Sequence, residues 1–306
     1  MQHGHHDDGV AIGVRAALAA YTLWGLLTIY WRELHGFDAF ELIGWRIALA
    51  SVVMALVVTV RRRWPVLRAA ATDRRLVTRL TIAALLLAVN WTAYVWAVTH
   101  DRVIETALGY FMAPLGTMLL GVVVLRERPS AAQRAAIGLA VVAVVVLTGS
   151  YGRPPWIALA LATTWSVYGL LKRQVPLSPV ESLAGETFVL TVPAVVLAAA
   201  LAGRDDSIPA AADAGQWVLV SFTGLVTAVP LVLFAVAARR LPFTLLGPLQ
   251  YLIPTINFVL GWLAFAEPMP AVRLVGFAFV WAALLLVTVD RLRLAPRAAA
   301  VVPAEV

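Results

Sequence analysis

Long apolar runs separated by short polar or basic turns set the rhythm of this chain. Ten such runs stand out: residues 10–30, 40–60, 80–98, 103–125, 131–148, 156–171, 182–202, 216–237, 243–265 and 271–289. Each approaches the roughly 20 residues that a helix needs to cross a hydrocarbon layer, so each predicts a transmembrane helix. The opening MQHGHHDDG is polar and reads as a disordered tail, in which His3, His5, His6, Asp7 and Asp8 have nothing to order them as metal ligands. Residues 61–79 read as a basic loop around Trp64-Pro65, and residues 291–306 as a short tail. The first run is long and ends without a small-x-small site, so it reads as a span and not as a cleaved signal.

The runs repeat. Residues 105–148 have an echo 140 positions later, which places Pro114 on Pro254, Gly121 on Gly261, Glu127 on Glu267 and Ala131 on Ala271. In the same register Tyr110 falls on Gln250 and Thr117 on Asn257. The order is conserved as well: a span with a central Pro, a Gly near its end, a Glu at its exit, then another apolar span. A unit repeated half a chain apart predicts two homologous halves, residues 10–150 and 151–290. Five spans in each half is an odd number, so the second half must be inverted relative to the first.

Composition narrows the class. Hydrophobic residues make up 61% and charged residues 13%, against about one half and one quarter in an ordinary globular domain. The expectation is an all-α integral membrane protein of ten helices in two inverted five-helix repeats. The net charge of +7 could suggest nucleic acid, but the basic residues sit in short loops between spans. With the N-terminus inside, 18 of them fall on inner segments and 5 on outer ones, with Arg46 inside a span. That bias places both termini in the cytoplasm and the chain in the cytoplasmic membrane. The absence of cysteine excludes disulfides and thiol chemistry.

Polar groups inside a span are costly, and their presence marks candidate sites. Arg46 lies a third of the way into the second span. It either snorkels or pairs for packing, or it offers a cation to a substrate. Glu186 sits at nearly the matching place in the seventh span. It is a candidate partner of Arg46, a pore-lining or structural acid, or a proton-coupling group. Tyr110, Pro114 and Thr117 share one helix face, and Gln250, Pro254 and Asn257 repeat that spacing. Each Pro frees a backbone carbonyl, so these stripes are either cavity walls that meet at mid-depth or helix–helix glue. Asn90 and Tyr94 share a face of the third span. Tyr21, Trp24 and Thr28 in the first span are answered by Trp165, Tyr168 and Lys172 in the sixth. Trp31, Trp64, Trp156 and Trp217 read as interfacial belt residues. Glu127 and Glu267, at the exits of the fourth and ninth spans, are expected to accept hydrogen bonds at the start of the next helix and fix the turn. Glu105 is placed to favour a helix start. There is no Walker A loop, metal-ligand cluster or catalytic triad, so neither enzyme activity nor a cofactor is expected.

Several segments together resemble the RarD family, a part of the EamA branch of the drug/metabolite transporter superfamily. They are ALAAYTLWG (17–25), Trp45-Arg46-Ile47, NWTAYVWAV (90–98), ETALGYFMAPL (105–115), Tyr168-Gly169-Leu170, Glu186-Thr187, GLVTAVPLVLF (224–234), LGPLQYLIPT (246–255) and FAFVWAALL (277–285). The resemblance implies ten helices in two inverted EamA repeats and transport across the inner membrane. The chain departs from the family pattern in three places. The Gly that often precedes the exit Glu is Arg126 in one repeat and Ala266 in the other, and the Asn usual before the first Pro is Ala113.

The expected function is secondary-active export of small organic metabolites or drugs by alternating access. The expected cavity residues are Arg46, Asn90, Tyr94, Tyr110, Thr117, Glu186, Gln250 and Asn257. The expected partners are a small organic substrate, the lipid bilayer and a second copy in a homodimer, and not nucleic acid. The rival readings are a non-transporting scaffold or sensor and a membrane-embedded lipid-handling enzyme.

Overall fold

The computed structural model describes residues 2–126, 128–172, 174–238, 240–241 and 249–299, with side chains described from 10 to 290 apart from 235 and 238. All regular structure among these residues is helical. The first half contains α1 (Gln2–Arg32), α2 (Ala39–Val60), α3 (Trp64–Thr72), α4 (Arg74–Thr99), α5 (Val103–Val123) and α6 (Ala131–Tyr151). The second contains α7 (Trp156–Lys172), α8 (Pro179–Leu201), α9 (Ile208–Ala211), α10 (Ala214–Ala238), α11 (Leu252–Val259) and α12 (Ala271–Ala299). A π-helical turn, Leu260–Ala264, continues α11.

Eight of the ten expected spans are long and apolar enough to cross a membrane by length and composition. The sixth is α7, at 17 residues. The ninth is described from residue 249, with its helix beginning at Leu252, and its expected start, residues 243–248, lies outside the described residues. Three boundaries differ from expectation. α1 reaches back to Gln2 over the segment read as a tail, and α12 runs on to Ala299. The basic segment 61–79 is not a loop. Pro65 stands in the first turn of α3, Leu67 and Ala70 bury one side of that helix, and Asp73 then caps α4 by accepting from the Arg75 and Leu76 amides at 2.9 and 3.2 Å. The run of Arg hides this helix, because its apolar face is only two residues wide.

Helix pairing follows the 140-residue register. α2 packs on α8, α5 on α11 and α6 on α12, each helix against its own counterpart. α1 packs on α10 while α7 packs on α4, which is the same contact with the halves exchanged. Such exchange is what a pseudo-twofold relation between repeats requires. Thr191 donates to Ser51, 140 positions earlier, across the α2–α8 crossing at 2.8 Å, as expected of matched positions beside the axis. The N-caps match too: Asp38 caps α2 and Ser178 caps α8. Close approach of backbones holds these crossings together, since lipid supplies no hydrophobic drive between helices. A Cβ on Gly224 of α10 would stand 2.6 Å from the Leu49 carbonyl oxygen of α2.

The two departures from the family's Gly carry a backbone consequence. Arg126 and Ala266 both adopt positive φ, 56° and 52°. The left-handed turn is therefore kept without the residue that takes it freely, at a cost of about 1–2 kcal/mol each.

Two outcomes are expected from thermal unfolding in detergent. Gly224→Ala should destabilise by about 1–3 kcal/mol through overpacking against α2, whereas Gly138→Ala, with open space around it, should not. Ala266→Gly should stabilise by about 0.5–1 kcal/mol by relieving the turn; a lower unfolding temperature would refute the strain.

Candidate functional site

Polar side chains gather where α1, α2, α4, α5, α7, α10 and α11 converge. Arg46 of α2 is buried, at 4% exposure. Its Nε donates to the Thr227 hydroxyl of α10 at 3.1 Å. Its guanidinium lies over the Trp91 ring of α4, 4.1 Å from the centroid, and 5.2 Å from that of Trp31 of α1. Trp31 is fully buried and is no interfacial belt residue, because it forms one wall around this cation. Of the other belt assignments, Trp156 remains exposed, Trp217 packs edge-on against Trp45, and Trp64 stacks on Phe188 while donating to Thr59.

A chain of hydrogen bonds runs beside Arg46. The Thr28 hydroxyl pairs with the Tyr94 hydroxyl and donates to Asn257, both at 2.8 Å, and Asn257 donates on to Thr106 at 3.5 Å. Asn90 donates to Thr164 and to the Leu161 carbonyl of α7, and accepts from Tyr110 at 3.2 Å. The Tyr94 and Tyr110 rings lie 5.9 Å apart, and the aromatic series continues through Trp165 to Tyr168. Asn257 is thus fully enclosed between α1 and α5. Thr117 is half-buried and bonds back to the Ala113 carbonyl within its own helix, and Gln250 is half-buried in the turn before α11. The two stripes do not bond to each other: Asn257 reaches Thr106, one turn before Tyr110, while Tyr110 turns to Asn90 and Thr117 to its own helix. Pro114 sits inside α5; Pro254 falls in the first turn of α11, where its missing N–H costs little.

Glu186 does not pair with Arg46. It is fully buried and takes Lys172 Nζ at 2.7 Å, Ser182 at 2.9 Å and the Tyr168 hydroxyl at 3.0 Å. All three partners lie in the second half, within 18 positions of Glu186, so local geometry satisfies the carboxylate before the other half is needed. The matched positions 46 and 186 therefore carry opposite charges in separate surroundings.

Glu267 departs from expectation in its partner. It accepts from the Val103 and Ile104 amides, at 2.5 and 3.0 Å, and so caps α5 of the opposite half and not α12, the helix that follows it. The intervening Pro268 and Pro270 have no N–H to offer. Burial pushes its carboxyl above the ordinary value, against the pull of those two amides. Glu127 lies outside the described residues. Three further acids make related contacts. Glu105 pairs with Arg153 at 2.9 Å and takes the Ile157 amide at the start of α7, Glu41 takes the Ile208 amide at the start of α9, and Glu181 completes the Ser178 capping box and holds Arg63. Glu41 and Glu181 are 140 apart. That register was the available signal for them; Thr28 was marked only by sharing a face with Tyr21 and Trp24, and Thr227 by nothing beyond lying in a span.

The profile of the EamA-like transporter family matches residues 11–149 and again residues 154–289. "Protein RarD" of Streptomyces exfoliatus is 43% identical over 94% of this chain and 91% of that protein. The "Uncharacterized transporter YojE" of Bacillus subtilis is 34% identical over 96% and 97%. Protein RarD of Escherichia coli is 32% identical over 91% and 94%. One solved chain, titled only as the crystal structure of a protein, overlays with a TM-score of 0.59 at 20% identity, covering 93% of this chain and 98% of that one. That overlay shows the fold alone.

The ion pair at Glu186 generates a prediction. Lys172→Met leaves a buried carboxylate uncompensated and should destabilise by about 3 kcal/mol, the low end for such pairs because Lys172 keeps 23% exposure. Lys172→Met with Glu186→Leu should recover most of the loss in thermal unfolding. Simple addition of the two single effects would show that the groups do not act as a pair.

Proposed function

The chain belongs to the EamA-like transporter family, and from that premise we propose that this multi-pass membrane transporter is a secondary-active exporter of small organic molecules. It sits in the cytoplasmic membrane with both termini in the cytoplasm, which puts Glu267 near the outer face. The two inverted halves rock against each other about the α2–α8 crossing, and substrate binds among Arg46, Asn90, Tyr94, Tyr110 and Asn257. Gln250 and Thr117 line the approach to that site.

The observation that carries this reading is the buried polar cluster itself. Thr28 of one half joins Asn257 of the other, Asn90 joins Thr164, and Arg46 joins Thr227. Polar groups at this depth are costly, and mid-membrane sites at a repeat interface are where inverted-repeat transporters bind their cargo. In this conformation the groups bond to one another, which corresponds to a closed state. Secondary-active transport fits relatives named as transporters and a sequence without a Walker A loop. Glu186 is the candidate for coupling to protons.

The test has two stages. Cells expressing the chain should lose a set of small organic compounds from the cytoplasm to the medium, read by untargeted comparison with cells lacking it. In proteoliposomes, Arg46→Ala and Glu186→Gln should each slow movement of those compounds about tenfold or more, the loss expected from removing about 1.4 kcal/mol of binding. Unchanged kinetics in both variants would sink the site, and accumulation inside the cells would reverse the direction.

A further inference from the structure

Arg46 is short of acceptors. A guanidinium carries five N–H donors and does not deprotonate in proteins. Among the described residues it makes one hydrogen bond, from Nε to Thr227. No carboxylate of those residues forms an ion pair with it. The helices around it offer none. The spans of α1, α4 and α10 contain no Asp or Glu between residues 10–32, 74–99 and 214–238. Glu41 of its own helix is committed to the Ile208 amide, and Glu105 of α5 is committed to Arg153. The surrounding hydroxyls are neutral and engaged elsewhere: Tyr30 donates to the Leu219 carbonyl, Tyr94 pairs with Thr28, and Tyr110 donates to Asn90. The Trp31 and Trp91 faces attract the cation but bring no opposite charge. The indole N–H of Trp31, in the ring beside the guanidinium, is also buried without an acceptor. A buried cation with no paired carboxylate among the described residues, beside an indole N–H without an acceptor, is a combination that an anion would complete.

Building on the transport reading above, we infer that Arg46 anchors an anion subsite, so that the molecules this protein carries bear a carboxylate. The terminal nitrogens of the guanidinium fork match the two oxygens of a carboxylate, and the Trp31 N–H supplies a further donor. The Tyr94 and Tyr110 rings then face the organic remainder. A substrate carboxylate offsets the buried charge that the protein leaves open, and it does so only while it is bound. The same logic disfavours cationic cargo, which would meet Arg46 as a like charge.

The test uses the full chain in phosphatidylcholine nanodiscs, with tryptophan fluorescence as the readout because Trp31 and Trp91 flank the site. The probes are four acids with their own amides: benzoate and benzamide, phenylacetate and phenylacetamide, nicotinate and nicotinamide, butanoate and butyramide. At least one acid should bind about tenfold or more tightly than its amide. Arg46→Gln should abolish that preference, and Arg46→Lys should keep a weakened one because it retains charge without the fork. The inference is overturned if no acid binds, if acids and amides bind alike, or if the preference survives in Arg46→Gln. Should Arg46→Gln fail to fold, an Arg46→Lys variant that binds acids as the parent does would overturn it equally. Uptake in proteoliposomes separates the two claims. Movement of compounds without preference for acids defeats the anion subsite and leaves transport standing. Binding of acids at Arg46 without movement defeats transport and leaves the subsite.

Discussion

A bilayer offers no water to a polar group, so each donor and acceptor at that depth must find its partner in protein. In this molecule the partner is repeatedly in the other half. Glu41 of the first half caps Ile208 of the second, and Glu267 of the second caps Val103 and Ile104 of the first. Glu181 holds Arg63, and Glu105 takes Ile157. Ser51 meets Thr191 beside the axis. Among the described residues, the backbone amides that Glu41 and Glu267 accept from all lie across the repeat boundary. The constraint turns two similar sequences into one folded unit, and it explains why the acids stand at helix starts, where orphan amides are concentrated.

The pseudo-symmetry is useful because it is incomplete. Positions 46 and 186 correspond, yet one is a cation reaching across to α10 and the other an anion satisfied nearby by Lys172, Ser182 and Tyr168. Charge compensation is thus complete at one site and open at the other. The aromatic series from Tyr94 through Tyr110 and Trp165 to Tyr168 links the two. A symmetric protein would bind the same group twice. Of these two matched sites among the described residues, the acid has an ion-pair partner and the cation has none.

Much of the architecture is written along the chain, since span length and loop charge are local properties that the bilayer enforces. The 140-residue register also carries the pairing of α2 with α8 and of α5 with α11. What the chain does not display is which side chain meets which. Arg46 and Glu186 look like partners by position, but Lys172 lies four residues beyond Tyr168, one helical turn away, and reaches the acid first. Trp31 resembles a belt residue because it ends a span, while the fold turns it inward beneath Arg46. α3 is obscured by the Arg residues that decorate it. Arg126 and Ala266 are not residues that favour positive φ, so only the Gly usual at those positions in the family hints at the left-handed turn that the backbone shows.

The closed polar cluster and a moving transporter are compatible on energetic grounds. Interhelical hydrogen bonds in membrane proteins contribute about 0.6 kcal/mol on average, because the separated groups find other partners. The bonds of Thr28, Asn90, Asn257 and Arg46 across the halves therefore sum to a few kcal/mol and not to tens. A substrate that supplies equivalent acceptors to Asn90, Tyr94 and Arg46 offsets their loss. The capping carboxylates differ in kind. Glu105, Glu41 and Glu267 bind backbone amides at helix starts, and no substrate atom replaces those contacts. Rearrangement is therefore cheapest at the polar centre and dearest at the helix ends.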